Sequence, residues 1–407
     1  MTEHDPTDPP IDPRIPVTVL TGFLGAGKTT LLNRLVTHPD MAGTALLINE
    51  FGAVGIDHQL VEQVGETMVL LESGCVCCTV RGDLVAALET LHDKLARRQI
   101  PQVRRVVIET TGLADPIPVV WTLMEQRYVA ARFRCDGVVT LVDTGLGAEQ
   151  LDRNEEARRQ VGMADRILLT KADLADRSAR EQLDARLDVL NPSAPRLVVT
   201  HGEIEPRRIL GAGLYAPGSL PAEVERFVAE TEAAARAGEA PPSAHGAQAL
   251  PVSFTCFFNH QVPWRGFAVA MGEILAKYGS HLLRVKGLMN VAGLGAPVVV
   301  QCVEQVAYPP VRLPRWPKEG TRFDMRGRLV FIVRNLPEAA IDDIRRRLAD
   351  LPGDAVALRA AATAPLLPTR CWLSARMPVQ GRSSFETDAW HINSVRLGKG
   401  RPAAAAS

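Results

Sequence analysis

The sequence predicts an α/β fold, in which a domain with a mostly parallel sheet covered by helices precedes a smaller α+β domain. Two observations support this prediction. Through residues 15–205, short apolar runs alternate with segments of helical spacing, and such runs are typical of parallel strands that are buried on both faces. From residue 251 onward, strand-like runs outnumber helical segments, which favours one sheet with helices on one of its faces.

The predicted strands are short runs rich in Val, Ile and Leu. In the first domain we place them at residues 15–20, 44–48, 104–109, 137–143, 166–170 and 197–200. Helical spacing predicts helices at 29–36, 83–98 and 154–164. In the second domain we predict strands at 251–258, 281–293, 297–306 and 328–334, and helices at 262–279 and 338–351.

Shifts in composition mark the domain boundaries. The chain has 407 residues, enough for two domains that each bury a core. Residues 1–14 are Pro-rich, and 206–250 are first rich in Ala and Glu and then in Pro, Gly and Ser. We therefore expect a disordered tail at 1–14, the first domain at 15–205, a linker at 206–250, the second domain at 251–378 and a second disordered tail at 379–407.

Charge and hydropathy exclude several classes of partner. Lys plus Arg and Asp plus Glu both total 46, so the formal net charge is zero and favours neither nucleic acid nor an anionic membrane. The N-terminal residues lack the basic start and apolar run of a signal peptide. No apolar run approaches the roughly 20 residues that span a bilayer. We expect a cytoplasmic protein that binds neither nucleic acid nor membrane.

The turn after the first strand, GFLGAGKT at 22–29, fits the pattern G-x-x-x-x-G-K-[ST]. Its glycines allow backbone N–H groups to surround phosphate oxygens, and the following helix presents its positive end. Lys28 would reach the β- and γ-phosphates, and the Thr29 hydroxyl would bind Mg²⁺. The alternative is a Gly-rich surface turn. The predicted contacts in and after the loop are Gly22, Gly25, Ala26, Gly27, Lys28, Thr29 and Thr30.

A second motif, Thr170-Lys171-Ala172-Asp173, follows a predicted buried strand. A carboxylate there can accept hydrogen bonds from guanine N1–H and N2–H₂, which adenine does not offer. The stem of Lys171 can lie along the base plane. The usual motif begins with Asn, so Thr170 is a departure, and a solvated Lys/Asp turn is the alternative. The motif predicts GTP as the nucleotide.

The segment Ile108-Glu109-Thr110-Thr111-Gly112 follows another predicted strand. A carboxylate at a strand end can hold Mg²⁺, and a glycine N–H can contact the γ-phosphate. We therefore predict that Glu109 and Thr29 hold Mg²⁺ and that Gly112 senses the γ-phosphate. The expected catalytic groups are Lys28, Thr29 and Glu109. The alternative is a helix N-cap formed by Thr110 or Thr111.

Three of the seven cysteines are clustered in Gly74-Cys75-Val76-Cys77-Cys78. Cys75 and Cys78 have the C-x-x-C spacing that suits a tetrahedral metal, and Cys77 adds a third thiolate. Thiolates favour Zn²⁺, Cu⁺ or Co²⁺, and three of them leave one position open for transfer. The alternative is redox chemistry through a Cys77–Cys78 or Cys75–Cys78 disulfide. The isolated cysteines, predicted to be small buried residues, are Cys135, Cys256, Cys302 and Cys371.

The residues after the second strand, 49–57, form a polar, Gly-bearing segment between the phosphate loop and the cysteines. Such a loop can order around the γ-phosphate and Mg²⁺ and relax after hydrolysis. We predict a switch loop here, with Asn49, Glu50 and Asp57 as its polar residues.

The runs TGFLGAGKTT, INEFGAVGID, GCVCC, IETTGLADP and ADRILLTKAD together resemble the CobW family of metal-handling GTPases and occur in that family's order. The resemblance covers about 15–205 closely, and LLRVKG and RLVFIVR extend it more loosely to the second domain. It implies slow, metal-dependent GTP hydrolysis and metal supply to client proteins. It assigns the cysteine cluster to the metal. Many members carry a His-rich run near the linker, where this chain has His201 and His245.

These observations predict a GTP-hydrolysing metallochaperone that binds zinc, with Co²⁺ as an alternative, and delivers it to an apo-metalloprotein client. Two other functions stay open: a GTP-gated metal sensor, and an assistant to cobalt insertion in cobalamin synthesis. The sequence leaves the oligomeric state open, with a homodimer as one option.

Overall fold

The computed structural model describes residues 12–48, 68–72, 76–211, 227–229, 231–232, 252–313, 315–316, 325–363 and 367–379. For 68–72 and 76–81 we describe the course of the backbone alone. Two sheets organise these residues, and the predicted fold class is confirmed. The first sheet is parallel and lies between layers of helices, and the second is antiparallel.

The first sheet has seven strands in the order β3-β2-β4-β1-β5-β6-β7, and every neighbouring pair in it is parallel. The six predicted strands are all present. The additional strand, β3, is the apolar run MVLLE, which pairs with β2 at the edge of the sheet. The strands are β1 (Ile15–Gly22), β2 (Thr44–Ile48), β3 (Met68–Glu72), β4 (Arg105–Glu109), β5 (Phe133–Asp143), β6 (Arg166–Thr170) and β7 (Arg196–Val199).

Helices cover both faces of this sheet. The second helix begins at Val76, earlier than the predicted start at residue 83, because the chain continues helically through Gly82. Its first turn therefore contains Cys77 and Cys78. The helices are α1 (Lys28–Val36), α2 (Val76–Ala96), α3 (Ile117–Glu125), α4 (Arg127–Ala130), α5 (Gly147–Arg153), α6 (Glu155–Met163) and α7 (Arg177–Leu190).

The core of the first domain follows from the alternation of side chains along the strands. Val17 and Val19 of β1 point to one face and pack with α2 and α3, whereas Leu20 points to the other face and packs with α1. Because both faces are covered, the strands are apolar throughout, as the sequence predicts.

The second sheet is antiparallel, with strand order β11-β10-β9-β13-β8, and β12 also pairs with β10. Helices pack on one face around Trp264, Phe267 and Trp372, and the rings of Phe267 and Trp372 stack with centroids 5.6 Å apart. The strands are β8 (Val252–Phe258), β9 (Leu282–Met289), β10 (Val298–Val303), β11 (Val306–Ala307), β12 (Val311–Arg312) and β13 (Gly327–Val333). The helices are α8 (Trp264–Tyr278), α9 (Glu338–Ala349), α10 (Asp354–Thr363) and α11 (Arg370–Leu373).

The opposite face of the second sheet packs against the first domain. Leu283 and Ile332 share one apolar cluster with Met163 of α6. Beside them Asp165, whose side chain is fully buried, forms ion pairs with Arg284 and with Lys286, whose Nζ lies 3.3 Å from the carboxylate. The two domains therefore share a core that includes buried charges. Within the described ranges, every helix is too short or too polar to cross a bilayer.

Candidate functional site

The loop between β1 and α1 contains the residues that are predicted to bind phosphate. Gly27 has φ 89° and caps α1 in the left-handed conformation, which favours glycine. Lys28 is buried, and its Nζ donates to the carbonyl oxygens of Gly22 at 2.8 Å and Phe23 at 3.4 Å. The lysine thus closes the loop around its own ammonium group, which is the group predicted to meet the β- and γ-phosphates.

The N-terminal end of α1 follows this loop, and its own first turn carries no negative charge. The first turn of α1 contains no acidic residue, so the positive end of the helix dipole is available to an anion. Thr29 and Thr30 lie in this turn, and Gly25 and Ala26 lie in the loop before it. The structure therefore brings the predicted phosphate contacts together.

Glu109 ends β4 next to the phosphate loop. It pairs in register with Leu20 of β1 and is buried. The following Thr110 donates from its backbone N–H to the Leu20 carbonyl and from its hydroxyl to Thr21 Oγ1 at 2.8 Å. A buried carboxylate at this position, with the Thr29 hydroxyl at the start of α1, is an oxygen donor set that suits Mg²⁺.

Gly112 lies directly against the phosphate loop. A Cβ atom at this position would be 2.6 Å from Leu24 Cδ2 and 2.9 Å from Leu24 Cα, so only glycine fits. The backbone of this loop, residues 110–116, can consequently approach the phosphate loop more closely than a side chain would permit. This contact supports the predicted position of Gly112 near the γ-phosphate.

Thr170 connects the second motif to the phosphate loop. Its hydroxyl lies 2.9 Å from the Ala26 carbonyl oxygen and 3.2 Å from that of Val142. The hydroxyl therefore joins β5 and β6 to the loop, which gives a physical reason for a polar residue at this position although it is not the usual Asn.

Lys171 and Asp173 follow β6 at the same edge of the sheet. Lys171 has φ 54°, and its Nζ pairs with Asp143 Oδ2 at 2.8 Å. The Asp173 carboxylate is 4.0 Å from His201 Nε2 in the turn after β7. Asp143 and His201 contact these predicted site residues, and the sequence analysis did not connect them with the site. A strand-end carboxylate after the run GVVTLV was the available signal for Asp143, whereas nothing in the sequence connects His201 with Asp173.

The predicted metal site is only partly within the described residues. Asn49, Glu50, Asp57 and Cys75 lie outside them, and for Cys77 and Cys78 the helix gives the backbone position alone. Among the side chains that are described, no group of three or more His, Cys, Asp or Glu is arranged to hold a metal ion.

The isolated cysteines fit the interpretation as structural residues. Cys135, Cys256 and Cys302 are buried free thiols, and Cys371 is half-buried. Burial raises the pKa of Cys135 to about 12, so this thiol stays protonated and unreactive at neutral pH.

A glycine-rich loop between a strand and a helix, with a buried carboxylate at the end of the neighbouring strand, defines a P-loop nucleotide-binding protein. Comparison with known proteins specifies the class. The model of the CobW/HypB/UreG nucleotide-binding domain matches residues 16–198, and that of the cobalamin synthesis protein CobW C-terminal domain matches 252–350.

Similar proteins cover half of the chain or more. The zinc chaperone YjiA of Escherichia coli is 35% identical over 340 residues, covering 83% of this chain and 98% of its own. The Zn(II)-bound crystal structure of the YjiA GTPase from E. coli aligns with a TM-score of 0.61 and 29% identity, over 83% of this chain and 99% of that one. The zinc-regulated GTPase metalloprotein activator 1 of Schizosaccharomyces pombe is 34% identical over 212 residues, half of this chain and 49% of that protein. The chain belongs to the CobW family, and it is a GTPase.

Proposed function

We propose that the chain is a cytoplasmic metallochaperone that couples GTP binding and hydrolysis to the capture of Zn²⁺ at Cys75, Cys77 and Cys78 and to its delivery to an apo-metalloprotein. The names of the similar proteins, zinc chaperone and zinc-regulated GTPase metalloprotein activator, support zinc as the cargo. Co²⁺ is the alternative metal, since thiolates also bind it.

One observation carries the proposal: the cysteine helix begins at the same edge of the sheet as the phosphate loop. Ile48 of β2 pairs with Glu72 of β3 on one side and with Glu109 of β4 on the other. These strands are parallel, so all three end at the same level. Neighbouring strands are about 4.8 Å apart, which separates the ends of β3 and β4 by roughly 10 Å. Cys77 and Cys78 follow shortly after Glu72, in the first turn of α2.

The phosphate side of the mechanism follows from the described residues. Lys28 would exchange its contacts with loop carbonyls for contacts with the phosphates, and Thr170 would keep the loop in place. The Asp173 carboxylate would accept from the guanine edge beside the stem of Lys171. Mg²⁺, when bound, would be held by Thr29 and Glu109 and would neutralise charge on the β- and γ-phosphates.

The segment 49–57 follows β2 in the chain, and β2 lies between β3 and β4 in the sheet. In the sequence, this segment stands between the phosphate loop and the cysteines. We propose that it orders on GTP and tightens the thiolate site, and that hydrolysis releases the metal. Linkage then requires that metal favours the GTP state by the same factor as GTP favours metal, and a typical coupling of about 1–3 kcal/mol corresponds to roughly 5–150-fold.

The test is a set of Zn²⁺ affinities measured with a non-hydrolysable GTP analogue and with GDP. We expect tighter binding with the analogue for the wild type and no such difference when Cys75, Cys77 and Cys78 are all changed to Ser. Cys371→Ser is the matched control, because its half-buried thiol has a raised pKa caused by burial and is a poor metal ligand. Equal affinities in both nucleotide states of the wild type would reject GTP-gated delivery.

Delivery itself needs a second measurement. Transfer of Zn²⁺ to a zinc-free metalloenzyme should restore that enzyme's activity faster during GTP hydrolysis than with the analogue. Coupling without any transfer would instead indicate a GTP-gated metal sensor.

A further inference from the structure

The loop that carries Gly112 is held by one helix, α6. Gln160 of α6 is 1% exposed, and its Nε2 donates to the carbonyl oxygens of Gly112 at 3.1 Å and Ala114 at 3.0 Å. Both acceptors are carbonyls, so the orientation of the amide is determined: the opposite orientation would place Oε1 against two oxygens. The side chain of Gln160 therefore holds two backbone carbonyls of the loop at the proposed γ-phosphate sensor.

The neighbouring residue of α6 holds the end of the same loop. Arg159 Nη1 donates to Asp115 Oδ2 at 2.8 Å, while the other Asp115 oxygen accepts from the Ile117 N–H at the start of α3. Arg159 also pairs with Glu155 one turn earlier at 2.6 Å. Two consecutive residues of α6 thus contact the Gly112 loop at three of its positions.

The same helix is packed against the second domain. A Cβ atom at Gly162 would be 3.2 Å from Leu283 Cδ1 and 3.6 Å from Ile332 Cγ2, so the backbone of α6 lies directly on β9 and β13. At the other end of α6, Glu155 Oε1 lies 3.4 Å from Arg334 Nη1. Arg334 Nη2 also lies 3.4 Å from Glu304 Oε1. The helix therefore contacts the Gly112 loop with some residues and the second domain with others.

We infer that Gln160, with Arg159, positions the Gly112 loop for GTP hydrolysis, and that α6 makes this position depend on the second domain. The inference rests on the proposed role of Gly112. If the Gly112 N–H donates to the γ-phosphate, the contacts from α6 determine where that N–H lies. A partner that shifts the second domain would then change the rate of hydrolysis through the same contacts.

Gln160→Glu tests the two hydrogen bonds from Gln160 with a side chain of nearly the same shape. An ionised carboxylate has no hydrogen to donate to the two carbonyl oxygens, and a protonated carboxyl group can donate to only one of them. We expect a turnover number at least about tenfold lower, and an affinity for a non-hydrolysable GTP analogue relative to GDP that falls by about tenfold, the effect of losing one or two hydrogen bonds. Gln182→Glu is the matched control, because Gln182 makes a solvent-exposed contact with Ser178 on α7.

If Gln160→Glu folds poorly, two variants at less buried positions test whether α6 positions the Gly112 loop. Asp115→Asn and Arg159→Gln each remove the ion pair at the loop end. A double variant should lose less than the sum of the two single variants, because they share this interaction. The ratio of analogue to GDP affinity is the deciding readout, since a purely structural role would lower the unfolding temperature and leave this ratio unchanged. An unchanged ratio in these variants overturns the inference.

The dependence on the second domain has its own test. Arg334→Gln lies outside the first domain, and we expect it to change the same affinity ratio about two- to threefold, whereas the exposed Arg359→Gln on α10 should leave it unchanged. An unchanged affinity ratio in Arg334→Gln overturns the second part of the inference.

Lys28→Ala is measured in parallel to separate this inference from the proposed function. If Lys28→Ala still binds nucleotide, the assignment of the phosphate site is wrong. If Lys28→Ala does not bind nucleotide and the Gln160 variants keep the wild-type affinity ratio, only the positioning role is rejected.

Discussion

The two sheets of this protein place their polar side chains in opposite ways. In the first sheet, Glu109 and Thr170 lie at the carboxyl ends of parallel strands, with further polar groups in the loops that follow. In the second sheet, Arg284, Lys286 and Arg328 lie within antiparallel strands and are buried. The strand-end groups lie beside the predicted ligand site, whereas the buried groups of the second sheet lie against other parts of the protein.

The partners of these groups show the difference. Arg284 and Lys286 pair with Asp165 of the first domain, and Arg328 donates to the Val228 carbonyl at 3.0 Å and to Thr231 Oγ1 at 3.2 Å. Charges buried in this way serve the attachment of one part of the fold to another. Removing one partner is costly because it leaves the other charge buried and uncompensated. The polar residues at the strand ends should instead affect ligand binding with little effect on stability.

The largest effect on stability is expected for Asp165→Asn. The variant leaves the buried charges of Arg284 and Lys286 without their carboxylate, and we expect the free energy of unfolding to fall by about 3–5 kcal/mol. Urea unfolding followed by circular dichroism measures this. Asp350→Asn, at an exposed position, is the control. A loss below about 1 kcal/mol would show that the interface does not depend on this ion pair.

The ion pairs of Asp165 also predict that the stability of the protein depends on pH. Burial acts to raise the pKa of Asp165, but Arg284 and Lys286 outweigh it and hold the pKa below its usual value. The contribution to stability is therefore fully present above the unfolded aspartate pKa of about 3.9 and is lost as the pH falls through the lower folded-state pKa. The stability difference between wild type and Asp165→Asn should stay constant above about pH 5 and shrink in acid.

Lys28→Ala should have the largest effect on activity. The residue is the proposed partner of the phosphates, and we expect the rate of GTP hydrolysis to fall by about 10²–10³-fold, with little change in unfolding temperature. Lys277→Ala, an exposed lysine of the second domain, should hydrolyse GTP like the wild type. Hydrolysis by Lys28→Ala at the wild-type rate would contradict the assignment of the phosphate loop.

Most of the fold could be predicted because its signals are local. Apolar runs identify the strands of the first sheet, and helical spacing identifies its helices. The phosphate loop is defined by eight consecutive residues, 22–29. The strand β3 was missed because the run MVLLE is short and lacks a clear period. The start of α2 was placed too late because Gly82 and Asp83 resemble a helix boundary.

The contacts of the site could not be predicted in the same way because they join distant residues. Lys171 with Asp143, Asp173 with His201, and Gln160 with Gly112 meet only through the order of the strands. The metal-binding role of Cys75, Cys77 and Cys78 and the switch role of 49–57 stay predictions.

Asp173→Asn tests the comparison at the motif that is predicted to contact guanine. An amide presents both a donor and an acceptor to the guanine edge, so we expect a loss of about 1–3 kcal/mol in the preference for GTP over ATP, measured by competition. The unfolding temperature should not change, in contrast to Asp165→Asn. Asp188→Asn on α7 is the control for a surface carboxylate. An unchanged preference would mean that Asp173 does not contact the base.

Thr170→Val is expected to have the smallest effect and tests whether a buried polar group at a strand end serves the ligand or the fold. Valine keeps the shape but removes the hydroxyl that joins β6 to the Ala26 and Val142 carbonyls. The lost hydrogen bond is worth about 1 kcal/mol, which predicts roughly fivefold weaker binding of GTP and GDP alike, because the phosphate loop is held less firmly. Thr170→Ser keeps the hydroxyl and should bind nucleotide as the wild type does. If Thr170→Val instead lowers the unfolding temperature and leaves both affinities unchanged, its hydroxyl stabilises the fold, as the buried charges of the second sheet do.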